Sequence, residues 1–179
     1  LDQGLCKWLQ GNLEAHSRLS LIEGDAVKCL AEINEISVLA GNLPYNASTP
    51  IVVETLLRPQ LPAELLFTLQ KETGQRFCAT HSCKAYGAIT VFLQSCYNVE
   101  CVRSLPRDVF YPQPNVDSVV FRATRKTNVL PAEERKQFYQ FLRKAFAQRR
   151  KKLRNTIGLD DDRRPEHLTV EEWLNCFNR

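Results

Sequence analysis

The sequence predicts an α/β fold in which a doubly wound sheet is followed by a small all-helical part. Three observations carry this prediction. Apolar runs of strand length alternate with segments of helical spacing as far as residue 97. Two further strand-like runs flank the Pro-rich residues 106–114 and are expected to form an antiparallel pair at the sheet edge. After Arg125 the composition changes and the spacing is helical, so the predicted domains are 1–125 and 126–179.

Length and composition indicate a soluble globular protein. The 179 residues are 44% hydrophobic and 25% charged. No apolar run reaches the roughly 18 residues of a membrane span, and no charged-then-apolar leader opens the chain. The 7 cysteines include no CxxC pair, so reduced thiols without a metal site are expected. A cytoplasmic protein is the resulting expectation.

The first part of the chain is expected to contain two helices around a strand, and then a second strand with its own helix. Helical spacing covers residues 1–10, an apolar run at 18–22 predicts a strand, and a short helix is expected to start at Ala26. The run 36–40 predicts a buried strand. The amphipathic segment 48–58 predicts a helix that carries Pro50 in its first turn.

The remaining elements follow in the same way. Residues 63–70 predict a buried strand, 71–77 a polar helix, 78–86 a loop and 86–97 a helix, and the closing strands are 99–105 and 117–123. A helix is expected over 131–153, and Thr169 with Glu172 forms the capping-box pattern of a helix over 169–177. A parallel sheet needs a first strand and its phosphate-side turn, which are not among residues 1–179, so the sheet formed by these residues is expected to be incomplete.

Residues 41–45, which read Gly-Asn-Leu-Pro-Tyr, lie where a buried strand gives way to a helix. Ligands of open α/β sheets bind at this place, outside the carboxyl ends of the strands. The amide of Asn42, the fixed carbonyl of Pro44 and the flat ring of Tyr45 suit a planar ring that carries an amino group. Because Gly, Asn and Pro are also ordinary turn residues, a plain strand-end turn is the alternative.

Asp25 and Ala26 stand just past the expected strand 18–22. The carboxylate of Asp25 suits an amino group of a ring, and the backbone amide of Ala26 suits a ring nitrogen. The alternative is that Asp25 is simply the N-cap of the helix that starts at Ala26.

The net charge of +4 is modest, but its distribution is uneven. Seven basic residues and no acidic one lie between Arg143 and Arg154, and a short acidic patch follows at 160–162. A basic helical face is often only solvated, but this density of cations favours a polyanion such as nucleic acid.

Four stretches together carry a family resemblance. They read Gly-Asp-Ala at 24–26, Asn-Leu-Pro-Tyr-Asn at 42–46 with Ser-Thr-Pro at 48–50, Phe-Tyr-Pro-Gln-Pro-Asn-Val-Asp-Ser at 110–118, and Phe-Ala-Gln-Arg-Arg-Lys-Lys-Leu-Arg-Asn at 146–155. Through them the chain resembles the ribosomal RNA adenine N6-dimethyltransferases of the kasugamycin-sensitivity type, which act on small-subunit RNA. Each stretch alone is weakly specific, but the set spans nearly the whole chain in the family's order.

The resemblance implies a Rossmann-like class I methyltransferase sheet with a small all-helical C-terminal domain, and S-adenosylmethionine as cofactor. Asp25 matches the family's acidic residue at the cofactor adenine, and Asn42 matches the residue between cofactor and target base. The family's glycine-rich turn and ribose-binding Glu would precede Leu1, so the fragment alone is not expected to complete the cofactor site. The implied reaction is N6-dimethylation of adjacent adenosines in the 3′-terminal hairpin loop of small-subunit ribosomal RNA, by a monomer that acts on the immature small subunit.

Roles follow for the pocket residues. The two N–H groups of the target amine are expected to bind the Asn42 side-chain oxygen and the Pro44 carbonyl, while Tyr45 stacks on the base. Phe110 is expected on the other face of the base or, alternatively, as a hydrophobic plug under the edge strands. Leu43 and Tyr111 are expected to shape the pocket.

RNA is expected to be held through its phosphates. The candidate cations are Arg149, Arg150, Lys151, Lys152 and Arg154, with Lys84, Arg103 and Arg107 at the catalytic rim.

Three rival functions remain open. A large-subunit RNA methyltransferase is disfavoured by residues 149–155 and by the helix around Trp173. A DNA adenine methyltransferase is disfavoured because Leu43 stands where its motif has Pro. A non-catalytic assembly or transcription factor with the same fold is disfavoured by the intact residues 42–45.

Overall fold

Within the described part of this computed structural model, residues 3–13 and 18–178, four strands form one sheet. The strands are β1 (Val38–Asn42), β2 (Glu64–Gln70), β3 (Tyr97–Leu105) and β4 (Ser118–Arg125), in the spatial order β1-β2-β4-β3. β1 is parallel to β2, whereas β4 is antiparallel to both β2 and β3. The carboxyl ends of β1 and β2 therefore lie beside the amino end of β4, at the same end of the sheet.

The described residues also form seven α-helices. They are α1 (Gln3–Leu13), α2 (Ala26–Glu32), α3 (Ser48–Leu57), α4 (Lys71–Phe77), α5 (Ala88–Cys96), α6 (Ala132–Ala147) and α7 (Val170–Phe177), of which α4 and α5 pack on the strands. The sequence predictions of these helices and of all four strands are confirmed to within a few residues, except for the length of α6. The Thr169 hydroxyl accepts a hydrogen bond from the Glu172 amide at 3.2 Å, and the Glu172 carboxylate accepts one from the Thr169 amide at 2.8 Å. These two bonds confirm the capping box of α7. No described helix is long and apolar enough to cross a membrane.

The predicted strand at 18–22 is wrong. These residues form no ladder, and Leu19, Leu21 and Ile22 are 51%, 40% and 57% exposed. Residues 18–22 pair with none of the four described strands, although β1 has only β2 as a neighbour. An apolar run becomes a strand only where a partner completes its hydrogen bonds.

The predicted helix at 131–153 is too long. α6 ends at Ala147, and Gln148 leaves the helical conformation with φ −120° and ψ 53°. Beyond it, the Leu153 amide donates to the Arg163 carbonyl at 2.9 Å and the Arg154 amide to the Asp161 carbonyl at 3.1 Å. The chain therefore exchanges helical hydrogen bonds for pairing with a later segment, and Leu153 becomes fully buried. In a continued helix, the like charges of Arg149 and Lys152, and of Arg150 and Arg154, would also lie three or four residues apart and repel each other.

One hydrophobic core runs from the sheet into the C-terminal helices. It contains Phe67 and Phe121 of the sheet together with Phe138 of α6 and Trp173 of α7, each at most 1% exposed. The ring of Phe92 in α5 stacks on Tyr139 of α6 with centroids 4.6 Å apart. The predicted parts 1–125 and 126–179 are thus packed on a shared core.

Two buried arginines fix the helix ends around β1. Arg58 and Arg135 are each only 4% exposed, and both donate to backbone carbonyls. Arg58 bonds Leu30 at the end of α2 and Asn34 beyond it, whereas Arg135 bonds Leu56 near the end of α3 at 2.9 Å. A guanidinium at a helix carboxyl end satisfies unpaired carbonyls and matches the helix dipole.

Candidate active site

The turn after β1 is held by its own backbone. The Leu43 amide donates to the Thr68 carbonyl at 3.2 Å, which keeps the chain on β2 one residue past the end of β1. The Pro44 carbonyl accepts from the amides of Ala47 and Ser48 at 3.0 and 3.1 Å, and these bonds lead directly into α3. The predicted order of strand, turn and helix is therefore confirmed, and the turn opens at the carboxyl edge of the sheet.

A pocket of about 370 Å³ lies at this turn. Its walls come from two separate segments, the turn itself and the loop between β3 and β4. The lining residues are Asn42, Leu43, Pro44, Tyr45, Phe110, Tyr111, Pro112 and Pro114. The structure thus brings together the six pocket residues that the sequence singled out. Pro112 and Pro114 complete the wall, and the Tyr111–Pro112 peptide bond is cis.

The ring of Tyr45 is fixed from behind. Its hydroxyl shares a hydrogen bond of 3.2 Å with the hydroxyl of Ser118, which is the first residue of β4 and only 1% exposed. The residue as a whole stays 36% exposed. Sequence reasoning gave Ser118 no role, because the two residues are 73 positions apart and only the sheet topology joins them. A face of the ring is therefore presented to the pocket in a defined orientation.

Hydrogen-bond acceptors in the pocket differ in availability. The exposed side-chain amide of Asn42 bonds to no other residue in the described part of the chain, so its oxygen is free. The Pro44 carbonyl, in contrast, already uses both lone pairs for the amides of Ala47 and Ser48. The role predicted for the Pro44 carbonyl does not fit this arrangement. The Leu43 carbonyl accepts no backbone bond from any described residue and is the available second acceptor.

Asp25 is the N-cap of α2. Its Oδ1 accepts a hydrogen bond from the Val27 amide at 2.9 Å, so the capping interpretation is confirmed. Gly24 permits the close approach of this turn to the helix, since a Cβ there would lie 2.4 Å from the Cys29 sulfur. Neither Asp25 nor Ala26 lines the pocket. Oδ2 of Asp25 has no partner among residues 3–13 and 18–178, so capping leaves it able to bind a ligand.

The cations at 149–154 fall into two groups, those that form ion pairs with described residues and those that do not. The guanidinium of Arg149 donates to Glu166 and to the carbonyls of Cys83 and Lys84 at 2.9 and 2.6 Å. Lys152 pairs with Asp162 at 3.2 Å, and Arg154 pairs with Asp162 at 2.9 Å and Asp160 at 3.5 Å. The acidic patch predicted at 160–162 therefore faces these cations.

Arg150 and Lys151 differ from their neighbours. Both are exposed, and neither forms an ion pair with a described carboxylate. Of the predicted rim cations, Lys84, Arg103 and Arg107 are also exposed, but none lines the pocket.

Comparisons with known proteins agree with this arrangement. The family model described as ribosomal RNA adenine dimethylase matches residues 1–171. The ribosomal RNA small subunit methyltransferase A of Geobacillus thermodenitrificans (strain NG80-2) is 33% identical, covering 99% of this chain and 71% of the relative. The protein with the same description from Aliivibrio fischeri (strain MJ11) is 35% identical, covering 99% and 72%.

Solved structures share the fold. A dimethyladenosine transferase from Plasmodium falciparum superposes with a TM-score of 0.78 at 20% identity, over 97% of this chain and 77% of that one. The 23S rRNA methyltransferase ErmE superposes with a TM-score of 0.67 at 19% identity, over 99% and 78%. The predicted α/β methyltransferase fold with a helical C-terminal part is thereby confirmed. The chain belongs to the ribosomal RNA adenine dimethylase family and is a methyltransferase that modifies adenine in ribosomal RNA.

Proposed function

We propose that the protein dimethylates N6 of two adjacent adenosines in the 3′-terminal hairpin loop of small-subunit ribosomal RNA, with S-adenosylmethionine as methyl donor. It would do so as a cytoplasmic monomer during assembly of the small subunit. The observation that carries the proposal is the shared pocket, in which the free amide of Asn42 and the ring of Tyr45 face the same space as Phe110. The curated relatives with their small-subunit description support the choice of RNA.

The described residues fit the adenosine part of the cofactor. Oδ2 of Asp25 is free to accept from a ring amino group, and the amide of Ala26 donates to no described residue and can meet a ring nitrogen. Asn42 is the last residue of β1 and lines the base pocket, and it would meet the methyl-donor end of the cofactor there. When bound, S-adenosylmethionine supplies a methyl group on a positively charged sulfur.

The target adenine would be extracted from its RNA stack into the pocket. Its flat faces would lie between the rings of Tyr45 and Phe110, which line the cavity from the two separate segments. Stacking of a base on an aromatic ring is worth about 1–3 kcal/mol per base. Extraction of a single-stranded loop base costs less than extraction from a duplex, which suits a hairpin loop.

The chemical contribution of the chain is orientation of a weak nucleophile. The lone pair of the exocyclic nitrogen is delocalised into the adenine ring, which makes the amine unreactive. Hydrogen bonds from its two N–H groups to the Asn42 side-chain oxygen and the Leu43 carbonyl would favour a pyramidal nitrogen with a directed lone pair. Positioned dipoles of this kind contribute several kcal/mol, on the order of 3–4 for a single group. No strong base is required, because the proton becomes acidic once the nitrogen carries positive charge.

RNA would be held by its backbone phosphates. Arg150 and Lys151 are ready to bind phosphate, since no described carboxylate pairs with them. Lys152 and Arg154 would contribute by exchanging their partners at 160–162 for phosphate. Arg149 would act mainly by fixing the loop at 83–84, to which it donates two hydrogen bonds.

The direct test is methyl transfer to unmodified small ribosomal subunits. The protein, labelled S-adenosylmethionine and the particles would be incubated together, and nucleosides from the digested RNA would be separated. Label in N6,N6-dimethyladenosine is the expected result, with unmodified large subunits as the control substrate. Binding of the particles without any label in adenine would contradict the proposal and favour a non-catalytic assembly factor.

A further inference from the structure

A second pocket, of about 460 Å³, lies at the other end of the sheet from the active site. We call it the basic pocket; its polar lining consists of Gln60, Arg125, Lys126, Thr127 and Arg135. Arg125 is the last residue of β4, whereas Ser118 behind Tyr45 is the first. The 8 residues of β4 span roughly 25 Å at about 3.3 Å per residue, which is the approximate distance between the two sites.

The charge of the basic pocket is uncompensated. Three of its lining residues are cations, and none of the lining residues is Asp or Glu. Arg125, Lys126 and Arg135 form no ion pair with any carboxylate of the described residues. The pocket therefore carries a local positive charge that no carboxylate of residues 3–13 and 18–178 neutralises within 4 Å.

Backbone carbonyls hold the three side chains in place. Arg125 donates to the Leu61 carbonyl through Nη1, Lys126 donates to the Gln94 carbonyl at 2.7 Å, and Arg135 donates to the Leu56 carbonyl at 2.9 Å. These bonds order the cations but leave their formal charge intact. Nε and Nη2 of Arg125 have no partner among the described residues and are available to a ligand.

Burial strengthens the field in the basic pocket. Arg135, its inner wall, is only 4% exposed, and charges that are shielded from water interact more strongly with an incoming anion. Arg125 and Thr127 are exposed at the mouth, so a ligand that extends out of the pocket can be accommodated. The free guanidinium donors of Arg125 suit phosphate oxygens, whereas Arg135, whose donors already bind the carbonyls of Leu56, Arg58 and Leu130, contributes its charge.

We propose that the basic pocket binds a phosphodiester of the RNA substrate, far from the base that is methylated. The proposal rests on the proposed function, because it takes the RNA as the occupant. A folded RNA is a rigid polyanion that offers phosphates at many distances from the extracted base. Occupation of both sites would fix the direction in which the RNA crosses the sheet.

The test measures binding of unmodified small ribosomal subunits at several salt concentrations. One variant, R125Q/K126Q, removes two charges from the pocket. Its matched control, K28Q/K136Q, removes two charges from exposed positions outside the pocket. We expect the first variant to lose about three- to tenfold in affinity, and the slope of log K against log salt to fall by about 1, as for one lost phosphate contact. The control should stay close to the wild type.

A second pair keeps the test valid if loss of the carbonyl bonds unfolds the first variant. Thr127 is exposed and makes no side-chain hydrogen bond to a described residue, so T127E and T127Q leave these bonds intact and differ only in charge. T127E should weaken particle binding by about three- to tenfold relative to T127Q. Equal affinities for these two variants, or equal losses in R125Q/K126Q and its control, would overturn the proposal.

Two further measurements separate the possible outcomes. Methyl transfer by T127E at limiting particle concentration should fall by the same factor as its affinity, because the residue lies far from the amine and acts only on binding. If the wild type binds particles but transfers no methyl group, the proposed function fails, while the affinity comparison still decides the role of the pocket. The second measurement is a titration of the wild type and of T127E with inorganic phosphate. Phosphate binding that T127E abolishes, with particle affinity unaltered, would assign the pocket to a small anion and overturn the RNA proposal.

Discussion

At the residue scale, the environment of Tyr45 explains how an exposed aromatic ring keeps one orientation. The turn at 42–45 is anchored on β2 through the Leu43 amide, and the phenol oxygen is anchored on β4 through Ser118. The ring is thus tied to two strands, although it belongs to neither. Without the second tie, the side chain would have to lose rotamer freedom each time a base binds.

Removal of either hydroxyl should weaken this orientation. We expect Tyr45→Phe and Ser118→Ala each to lower kcat/KM for methyl transfer by about three- to tenfold, the worth of one hydrogen bond of ~1 kcal/mol. The double variant should be no worse than either single variant, because both remove the same bond. Losses that multiply in the double variant would show that the two hydroxyls act independently. Tyr45→Ala should be more severe, since it also removes the stacking surface.

At the element scale, Arg149 illustrates a role that local sequence cannot reveal. The sequence predicts a phosphate contact for Arg149, because it lies in an unbroken basic run at 149–152. In the fold it joins the segment after α6 to Glu166 and to the loop at 83–84. Its charge is therefore used within the protein, whereas the adjacent Arg150 remains exposed and without an ion pair among the described residues.

Substitution of these neighbours should separate stability from RNA binding. Arg149→Ala should lower the free energy of unfolding by about 2–3 kcal/mol, because charge-assisted bonds to Glu166 and two carbonyls are lost. Arg150→Ala should change stability by less than about 0.5 kcal/mol but should reduce the salt slope of RNA binding. Urea unfolding and salt-dependent filter binding measure the two effects. An Arg149 variant of normal stability with weakened RNA binding would restore the original interpretation.

Several elements could be predicted because local chemistry determines them. α4 begins and ends at the predicted residues, and the Thr169–Glu172 capping box lies within four consecutive positions. The end of α6 and the absence of a strand at 18–22 depend on distant partners instead. Leu153 reaches the core only by pairing with Arg163, and residues 18–22 have no described neighbour strand.

The candidate site shows the same division. Residues 42–45 are recognisable as a strand-end turn, and they line one pocket with Phe110 and Tyr111, as the resemblance implies. The sequence does not reveal that the Pro44 carbonyl is already hydrogen-bonded, because the two amides that donate to it lie at the start of α3. Ser118 and the basic pocket depend on the sheet order, which the sequence pattern does not specify.

At the scale of the whole molecule, the catalytic sheet and the basic helical part share one core. The ring of Phe92 stacks on Tyr139, which joins the two parts. Within the helical part, the ring centroid of the buried Trp173 lies 5.8 Å from that of Phe141 and 5.5 Å from that of Phe146. Because both parts pack on this core, RNA bound by the C-terminal part is held in a fixed position relative to the pocket.

A shared core should produce one cooperative unfolding transition. In a Trp8→Phe background, tryptophan fluorescence reports only Trp173, which is fully buried. Far-ultraviolet circular dichroism reports all helices. The two probes should give coincident urea transitions. Tyr139→Ala should lower the free energy of unfolding obtained from each probe by about 2–3 kcal/mol. Separate midpoints would show that the helical part unfolds on its own.

The most direct test of the account concerns the side-chain amide at position 42. Asn46 lies four residues later, is also exposed and does not line the pocket, so it provides the matched control. Asn42→Ala should lower kcat for transfer to adenine N6 by about 10²–10³-fold, as for loss of one positioned group, with particle affinity unchanged. Asn46→Ala should retain nearly full activity. An Asn42→Ala protein that still methylates at the wild-type rate, or that loses binding and catalysis in equal measure, would contradict the account.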